Sequence, residues 1–430
     1  MINTIDKETL AITKRKIAII STSPFPYGDN ITDGPGFRAW NLFQQIASSN
    51  EVVILSLYES FHLKTKNNFE ITENDIRIKG IHHSPREIAL EVEKEKPNVL
   101  YLPWSSTPFL GRLKQKIPTI LDYVGSGLLE EYATKGYIPI TLLQMKLKSF
   151  WLGDFFITAG QRERYYLLGL LAASKKMSQV EHDQKDPLIH VIPITPPTNP
   201  PVLTKKIIEK KPDELVLLVA GAFLPWYDYS TFFTALKLLI AQGKSNFKVL
   251  IMGGNIRDRR FENIVRKMGC SERLREKLIF TGLVPFKQRS NYYLSADVAI
   301  NIPSITIEDE LSVRTRVIDY IWASLPILSP AQDEYSAAAI SNGAGFLYQA
   351  GNSRSLADAI SQIMDDRTQI EQAKSRMPLL LQNKFNLTNY ISPLEAFIQN
   401  PYVDPTRLAP KGVSSDLFLW ARDFFSLLKR

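Results

Sequence analysis

The 430-residue chain contains a single cysteine, Cys270, so no intrachain disulfide can form. Such usage fits a reducing compartment. The thiol stands beside Ser271 and reads as a structural or surface group rather than a nucleophile. No apolar run approaches the roughly 18 residues that would span a bilayer. The residues up to Lys16 are polar and charged, without the apolar stretch of a signal peptide. The expected location is therefore the cytoplasm. The five histidines have no metal-ligand spacing, and no Asp-x-Asp lies near a strand end, so no metal is expected. No Ser/His/Asp or Cys/His arrangement suggests nucleophilic catalysis. Basic residues outnumber acidic ones by 52 to 44, for a net charge of +8. They are scattered, with no basic block interleaved with aromatics and no helix-turn-helix or RNA-binding signature, so nucleic acid is not an expected partner. The balance suits an anionic nucleotide or an anionic membrane surface equally well.

What is present is two rounds of strand–helix alternation. A chain of this length exceeds one ordinary core, so two domains are the default. Short β-rich apolar runs at Lys16–Ser21 and at residues 51–57, 76–82, 98–102, 119–122 and 155–158 read as strands. Helical periodicity lies between several of them, at residues 37–46, 85–95, 142–152 and 161–173. The pattern breaks over residues 184–212, where Pro193, Pro196, Pro197, Pro200 and Pro201 mark a linker. A second alternation then begins with strands at residues 214–220, 248–252 and 298–300. The expected division is residues 1–200 and residues 201–385, with C-terminal helices over about 386–430 available to pack back on the first domain. The fold class is α/β, with two Rossmann-like domains whose parallel sheets face a central cleft, the usual ligand position in such sheets.

The densest chemistry lies at residues 308–326, where Glu308, Ser312, Arg314, Arg316 and Asp319 precede Leu325-Pro326. A helix beginning near Ser312 would offer amide N–H groups and a positive dipole end to phosphate. Arg314 and Arg316 supply forked donors for phosphate oxygens. Asp319, about two turns in, could accept from a ribose diol. Arg316 and Asp319 stand at i and i+3 and can act together, whereas Arg314 and Arg316 do not share a helix face.

These residues resemble the GT-B glycosyltransferases of family 4 (group 1) type. The resemblance rests on Arg316, Asp319, Tyr320 and Ser324-Leu325-Pro326, and on the Gly-rich run 220–228 ending in Trp226, Tyr227 and Asp228. Further support comes from Gly282 to Pro285, Arg289, Ala296-Asp297, Gly34-Pro35-Gly36 with Arg38, and residues 153–165. It implies a transferase that moves a sugar from a nucleotide-diphosphate sugar to an acceptor hydroxyl, with retention of configuration. Glycan or polysaccharide biosynthesis would be the setting. The donor would lie on the second domain and a glycan, lipid-linked or small-molecule acceptor on the first. No cofactor beyond the donor substrate is implied. Glu308, Arg314 and Arg316 would be catalytic. Gly36, Arg38, Gly221, Trp226, Asp228, Ser312 and Asp319 would bind the donor. Were the reaction inverting, Asp122 and Glu163 would be the carboxylates to test as bases. Two departures stand out. Leu311 occupies the place of the family's first glutamate, leaving Glu308, Asp309 or Glu310 to face the sugar, with Glu308 favoured. No Lys or Arg lies between Leu215 and Leu236, where relatives hold the diphosphate. The alternatives are a nucleotide-sugar epimerase of the same fold or a non-catalytic nucleotide- or sugar-binding protein. Residues 414–430 form a largely apolar helix candidate that would dock on the core or touch a membrane surface, so peripheral contact at the inner membrane face is left open.

Overall fold

The computed structural model describes residues 14–28, 30–56, 69–81, 85–103, 113, 116–174, 176–177, 188–221, 227–254 and 269–405. Two sheets dominate. The first is built from β1 (Lys16–Ser21), β2 (Glu51–Ser56), β3 (Glu70–Glu73), β4 (Ile76–Gly80), β5 (Val99–Pro103), β6 (Thr119–Tyr123), β7 (Phe155–Thr158) and β8 (Ile189–Val191), in the order β3-β4-β2-β1-β5-β6-β7-β8. The second holds β9 (Leu215–Ala220), β10 (Phe247–Met252), β11 (Leu278–Gly282), β12 (Val298–Ile300), β13 (Ile327–Ser329) and β14 (Gly345–Leu347), in the order β11-β10-β9-β12-β13-β14. Every pairing is parallel except β3 with β4. Strands such as Leu215–Ala220 are buried at every position, which is why their sequences are continuous apolar runs.

Several elements depart from the sequence expectation, which did not include the helix Thr368–Lys384. β3 joins β4 through Asn74 and Asp75, both at positive φ (51° and 61°). Positive φ at both central residues is the geometry a two-residue hairpin selects. β8 lies inside the stretch expected to be linker and extends the first sheet beyond β7. The helix Gly127–Lys135, which follows β6, is carried by a weak pattern, with only Leu128 buried.

Leu394, Phe397 and Ile398 of the helix Ser392–Gln399 enter the apolar core under β1 and β7, where Phe397 stacks on Phe155 at 4.8 Å. The chain after the second sheet thus returns to the first. Residues 414–430, expected to form a terminal helix, lie outside the described residues. Among the described residues no helix is long and apolar enough to cross a membrane, and no cluster of three or more His, Cys, Asp or Glu side chains could hold a metal ion.

Candidate functional site

The carboxyl ends of β1, β6 and β7 meet the carboxyl ends of β9, β12 and β13 across a seam of hydrogen bonds. Ser126 Oγ and Ser312 Oγ share one at 2.6 Å. Arg162 donates to Glu310 O at 2.9 Å, and its backbone N–H to Glu334 Oε2 at 3.1 Å. Tyr335 donates to Ala159 O at 2.7 Å and accepts from Ile194 N at 2.8 Å. A Cβ on Gly34 would lie 3.0 Å from Thr315 Oγ1, so the start of the helix Gly34–Ile46 closely faces the start of the helix Thr315–Trp322. The seam therefore brings the turn after β1 to the arginine-rich segment of the second domain.

That segment is not one continuous helix from Ser312. A short helix, Ile307–Leu311, is capped by Thr306, whose Oγ1 accepts from Asp309 N at 3.2 Å. The chain then extends through Arg314 (φ −100°, ψ 101°), and the next helix starts at Thr315. The two arginines consequently diverge. Arg314 turns back on the short helix: Nη1 donates to Glu308 Oε1 at 3.1 Å, Nη2 donates to Glu308 Oε2 at 2.6 Å, and Nη2 also bonds Asp309. All three residues are buried. Burying three charges within seven residues forces them to pair, because an unpaired one would bear its full desolvation cost. Arg314, expected at the diphosphate, and Glu308, expected at the donor sugar, satisfy one another in this structure. Of the acidic trio, Glu310 is the exposed member.

Arg316, inside the helix, points the other way. Its Nη1 donates to Ala220 O at 2.6 Å, and its guanidinium sits 4.4 Å from the Tyr227 ring centroid. No carboxylate pairs with it among the described residues. Burial lowers its pKa, opposed by Tyr320 and Asp333. Gly221 makes this position available: its φ of +118° suits glycine, and a Cβ would fall 2.7 Å from the Arg316 guanidinium carbon. Among the described residues no side chain caps the helix Thr315–Trp322, although Val317 N donates to Arg314 O at 2.9 Å. An arginine with no carboxylate partner among the described residues, a glycine floor at the end of β9 and a helix start without a side-chain cap form a corner whose chemistry suits an anion.

The other expected site residues take different places. Arg38 is buried, donating through Nε to Asp122 Oδ2 at 2.6 Å and through Nη1 to Ile192 O at 2.6 Å, while Tyr101 donates to the same carboxylate. Arg38, expected as a donor contact, and Asp122, expected as a candidate base, thus pair with each other in the interior. Asp319 accepts from Arg289 Nε at 3.2 Å and Tyr293 OH at 2.9 Å, and holds Arg289 over the Phe286 ring at 3.4 Å. Its partners in this structure thus come from its own domain. Asp228 caps the helix Tyr229–Ala241, accepting from Thr231 N at 2.9 Å. Ser312 belongs to the seam. Gly36 is required by packing, because a Cβ would meet Pro24 O at 2.2 Å. Trp226 lies outside the described residues.

Glu163, the other candidate base, is 1% exposed and receives backbone N–H groups from Gly125 (3.0 Å), Ala159 (3.0 Å) and, across the seam, Val313 (3.4 Å). Burial outweighs these donors and pushes its carboxyl up to about 7. A carboxyl raised from its unfolded value of 4.5 stays protonated in the folded state after the unfolded chain has ionised. Its contribution to stability is therefore full below pH 4.5 and is lost as pH rises toward 7, by about 3 kcal/mol. Glu163→Gln should remove that fall, a difference read from denaturant midpoints between pH 4.5 and 8.

The sequence reading missed Glu130, in the first turn of the helix Gly127–Lys135, which packs against the short helix Ile307–Leu311. The legible signal was the Gly-Ser-Gly turn directly beyond the carboxyl end of β6, with an acid three residues on.

Comparison with known proteins agrees with this layout. Residues 203–377 match the family model of glycosyl transferases group 1. No curated protein sequence matches the chain. The fold is similar to sucrose-phosphate synthase from Thermosynechococcus elongatus, at 16% identity and TM-score 0.68, covering 90% of this chain and 99% of that one. It is also similar to Anabaena HepE in complex with UDP and glucose, at 12% identity and TM-score 0.64, covering 90% and 100%. WaaG, a glycosyltransferase involved in lipopolysaccharide biosynthesis, aligns at 12% identity and TM-score 0.59, covering 89% and 99%. The two-sheet α/β architecture is that of the GT-B glycosyltransferases.

Proposed function

We propose that the chain, whose residues 203–377 match the family model of glycosyl transferases group 1, transfers a sugar from a nucleotide-diphosphate donor to an acceptor hydroxyl in glycan assembly, with retention at the anomeric carbon. The observation that carries the reading is Arg316, unpaired among the described residues and lying on Gly221 beside an uncapped helix start. That corner suits a diphosphate, whose charge grows as the bond from anomeric carbon to phosphate oxygen breaks. It also answers the missing basic residues after β9, since Arg316 reaches the end of that strand from another element. HepE with UDP and glucose supports a UDP-sugar donor. Asp122 and Glu163 are engaged in the interior, so the acceptor proton passes to the leaving diphosphate oxygen as the acceptor oxygen bonds the anomeric carbon.

A thermal-shift panel of UDP, GDP, ADP, TDP and CMP sugars tests the reading. A ligand at about 100 times its Kd adds roughly 2.7 kcal/mol of stability, so one nucleotide class should raise Tm by a few degrees. If none does, the reading is wrong. Gly221→Ala should lower affinity for the selected nucleotide by at least about tenfold, because the new methyl displaces the guanidinium, and should cost about 1–2 kcal/mol of stability from the positive φ. Titration calorimetry and denaturation check the two parts.

A further inference from the structure

Across the seam from the donor domain's acidic loop stands a carboxylate that neither the fold nor the anion corner uses. Glu130 lies on the helix Gly127–Lys135, whose preceding turn is tied to the second domain by the Ser126–Ser312 hydrogen bond. The helix packs on Ile307–Leu311, so Glu130 faces the loop that carries Glu308 and Arg314. The side chain is half-buried, and Oε1 is 3.4 Å from where a Cβ of Gly125 would stand. Its charged neighbours are committed elsewhere. Glu131 pairs with Lys135 at 2.6 Å, and Glu308 holds Arg314 at 2.6 Å. The Glu130 backbone is engaged, its N–H donating to Ser126 O at 2.9 Å and its carbonyl accepting from Thr134 Oγ1, whereas its carboxylate has no hydrogen bond among the described residues. Burial and the Glu308 charge push its carboxyl above the usual range, opposed by Arg314 and Lys146. Lys146, on the helix Ile140–Ser149, is buried too, and desolvation brings its ammonium down to about 7 against the pull of Glu130.

We propose that Glu130 binds a hydroxyl of the acceptor, and that the sugar unit receiving the transfer is uncharged. An ionised carboxylate only accepts hydrogen bonds, so its partner in the cleft must be a donor such as a sugar hydroxyl. A phosphate on the same unit would add negative charge near Glu130, where the cations offer little: Arg314 is neutralised by two acids, the Arg162 guanidinium donates to the carbonyls of Glu310 and Gln332, and desolvation brings the buried Lys146 down to about 7. Like charges brought together in a partly desolvated cleft disfavour binding. The location suits the role: Glu130 comes from the first domain, and the anion corner from the second.

This proposal rests on the transferase reading, and the experiment separates the two. With the donor selected by the thermal-shift panel, UDP or other nucleotide release is followed for wild type, Glu130→Gln and Glu130→Ala. p-Nitrophenyl glucosides serve as neutral acceptors and glucose 6-phosphate as a charged one. The expected result is acceptor-dependent release with the neutral glycosides, a KM for them raised by at least about tenfold in both variants, and kcat unchanged within about twofold. Donor KM and acceptor-free donor hydrolysis should not move. An unchanged acceptor KM, a collapse of kcat at constant KM, a preference for glucose 6-phosphate, or donor hydrolysis with no transfer to either acceptor would each overturn it. Failure of the wild type to bind any nucleotide sugar would instead remove the transferase reading and this proposal with it.

Discussion

Arg316→Ala should weaken binding of the donor nucleotide by about 10- to 100-fold and leave the free protein's melting temperature within about 1–2 °C of the wild type. The affinity loss follows from removing charge-assisted hydrogen bonds, worth about 1.5–3 kcal/mol each in net terms. The small stability effect follows from the geometry. Arg316 has no carboxylate partner among the described residues, so its removal strands no buried charge. Only its hydrogen bond to Ala220 O and its contact with Tyr227 are lost. Arg316→Lys should recover part of the affinity, because an ammonium is a point charge that cannot span two phosphate oxygens from a stacked plane. Calorimetric titration with UDP, with the other nucleotides as controls, measures both. Undiminished nucleotide affinity in Arg316→Ala would move the donor site elsewhere.

The opposite pattern is expected at Asp122. Asp122→Ala should cost about 3–5 kcal/mol of stability, because it leaves the buried Arg38 guanidinium without its counter-charge. Asp122 also receives Tyr101, so the loss reaches two partners. The double variant Arg38→Met, Asp122→Leu should regain most of that stability, since well-packed apolar side chains often replace a buried ion pair without loss. Urea unfolding of the wild type, both single variants and the double variant completes the cycle. Were Asp122 instead the reaction's base, the double variant would be stable but inactive. The structure predicts transfer activity per folded molecule close to wild type.

These two cases show how the site divided between sequence and structure. The alternating pattern located the strands well, because strands buried on both faces are apolar throughout. It missed β3 and the helix Gly127–Lys135, whose exposed residues leave little pattern to read. It also missed β8, whose three residues sit among prolines. Within the site, the segment 308–326 was legible as a concentration of charge, but the partners its residues take were not: Arg316 lies on Gly221, whereas Arg314 pairs with Glu308 and Asp319 with Arg289. Each of these groups has several opposite charges within a few residues, and the sequence alone does not say which partner it takes. Glu130 was invisible for the complementary reason: its importance comes from facing residues about 180 positions away across the seam.

The amino-acid sequence by itself determined the two α/β halves, the proline-rich crossing between them and the concentration of anion-binding chemistry just before Leu325-Pro326. These follow from hydrophobic period and from backbone and side-chain chemistry within a few residues, which act locally. Only the tertiary structure decided which arginine lacks a carboxylate partner among the described residues. Starting the helix at Thr315 rather than near Ser312 leaves Arg314 in extended backbone, where it folds onto Glu308 and Asp309, and puts Arg316 on a helical turn aimed at the end of β9. Two arginines separated by one residue thus reach different fates, because burial makes each charge take whatever partner the packed chain places beside it.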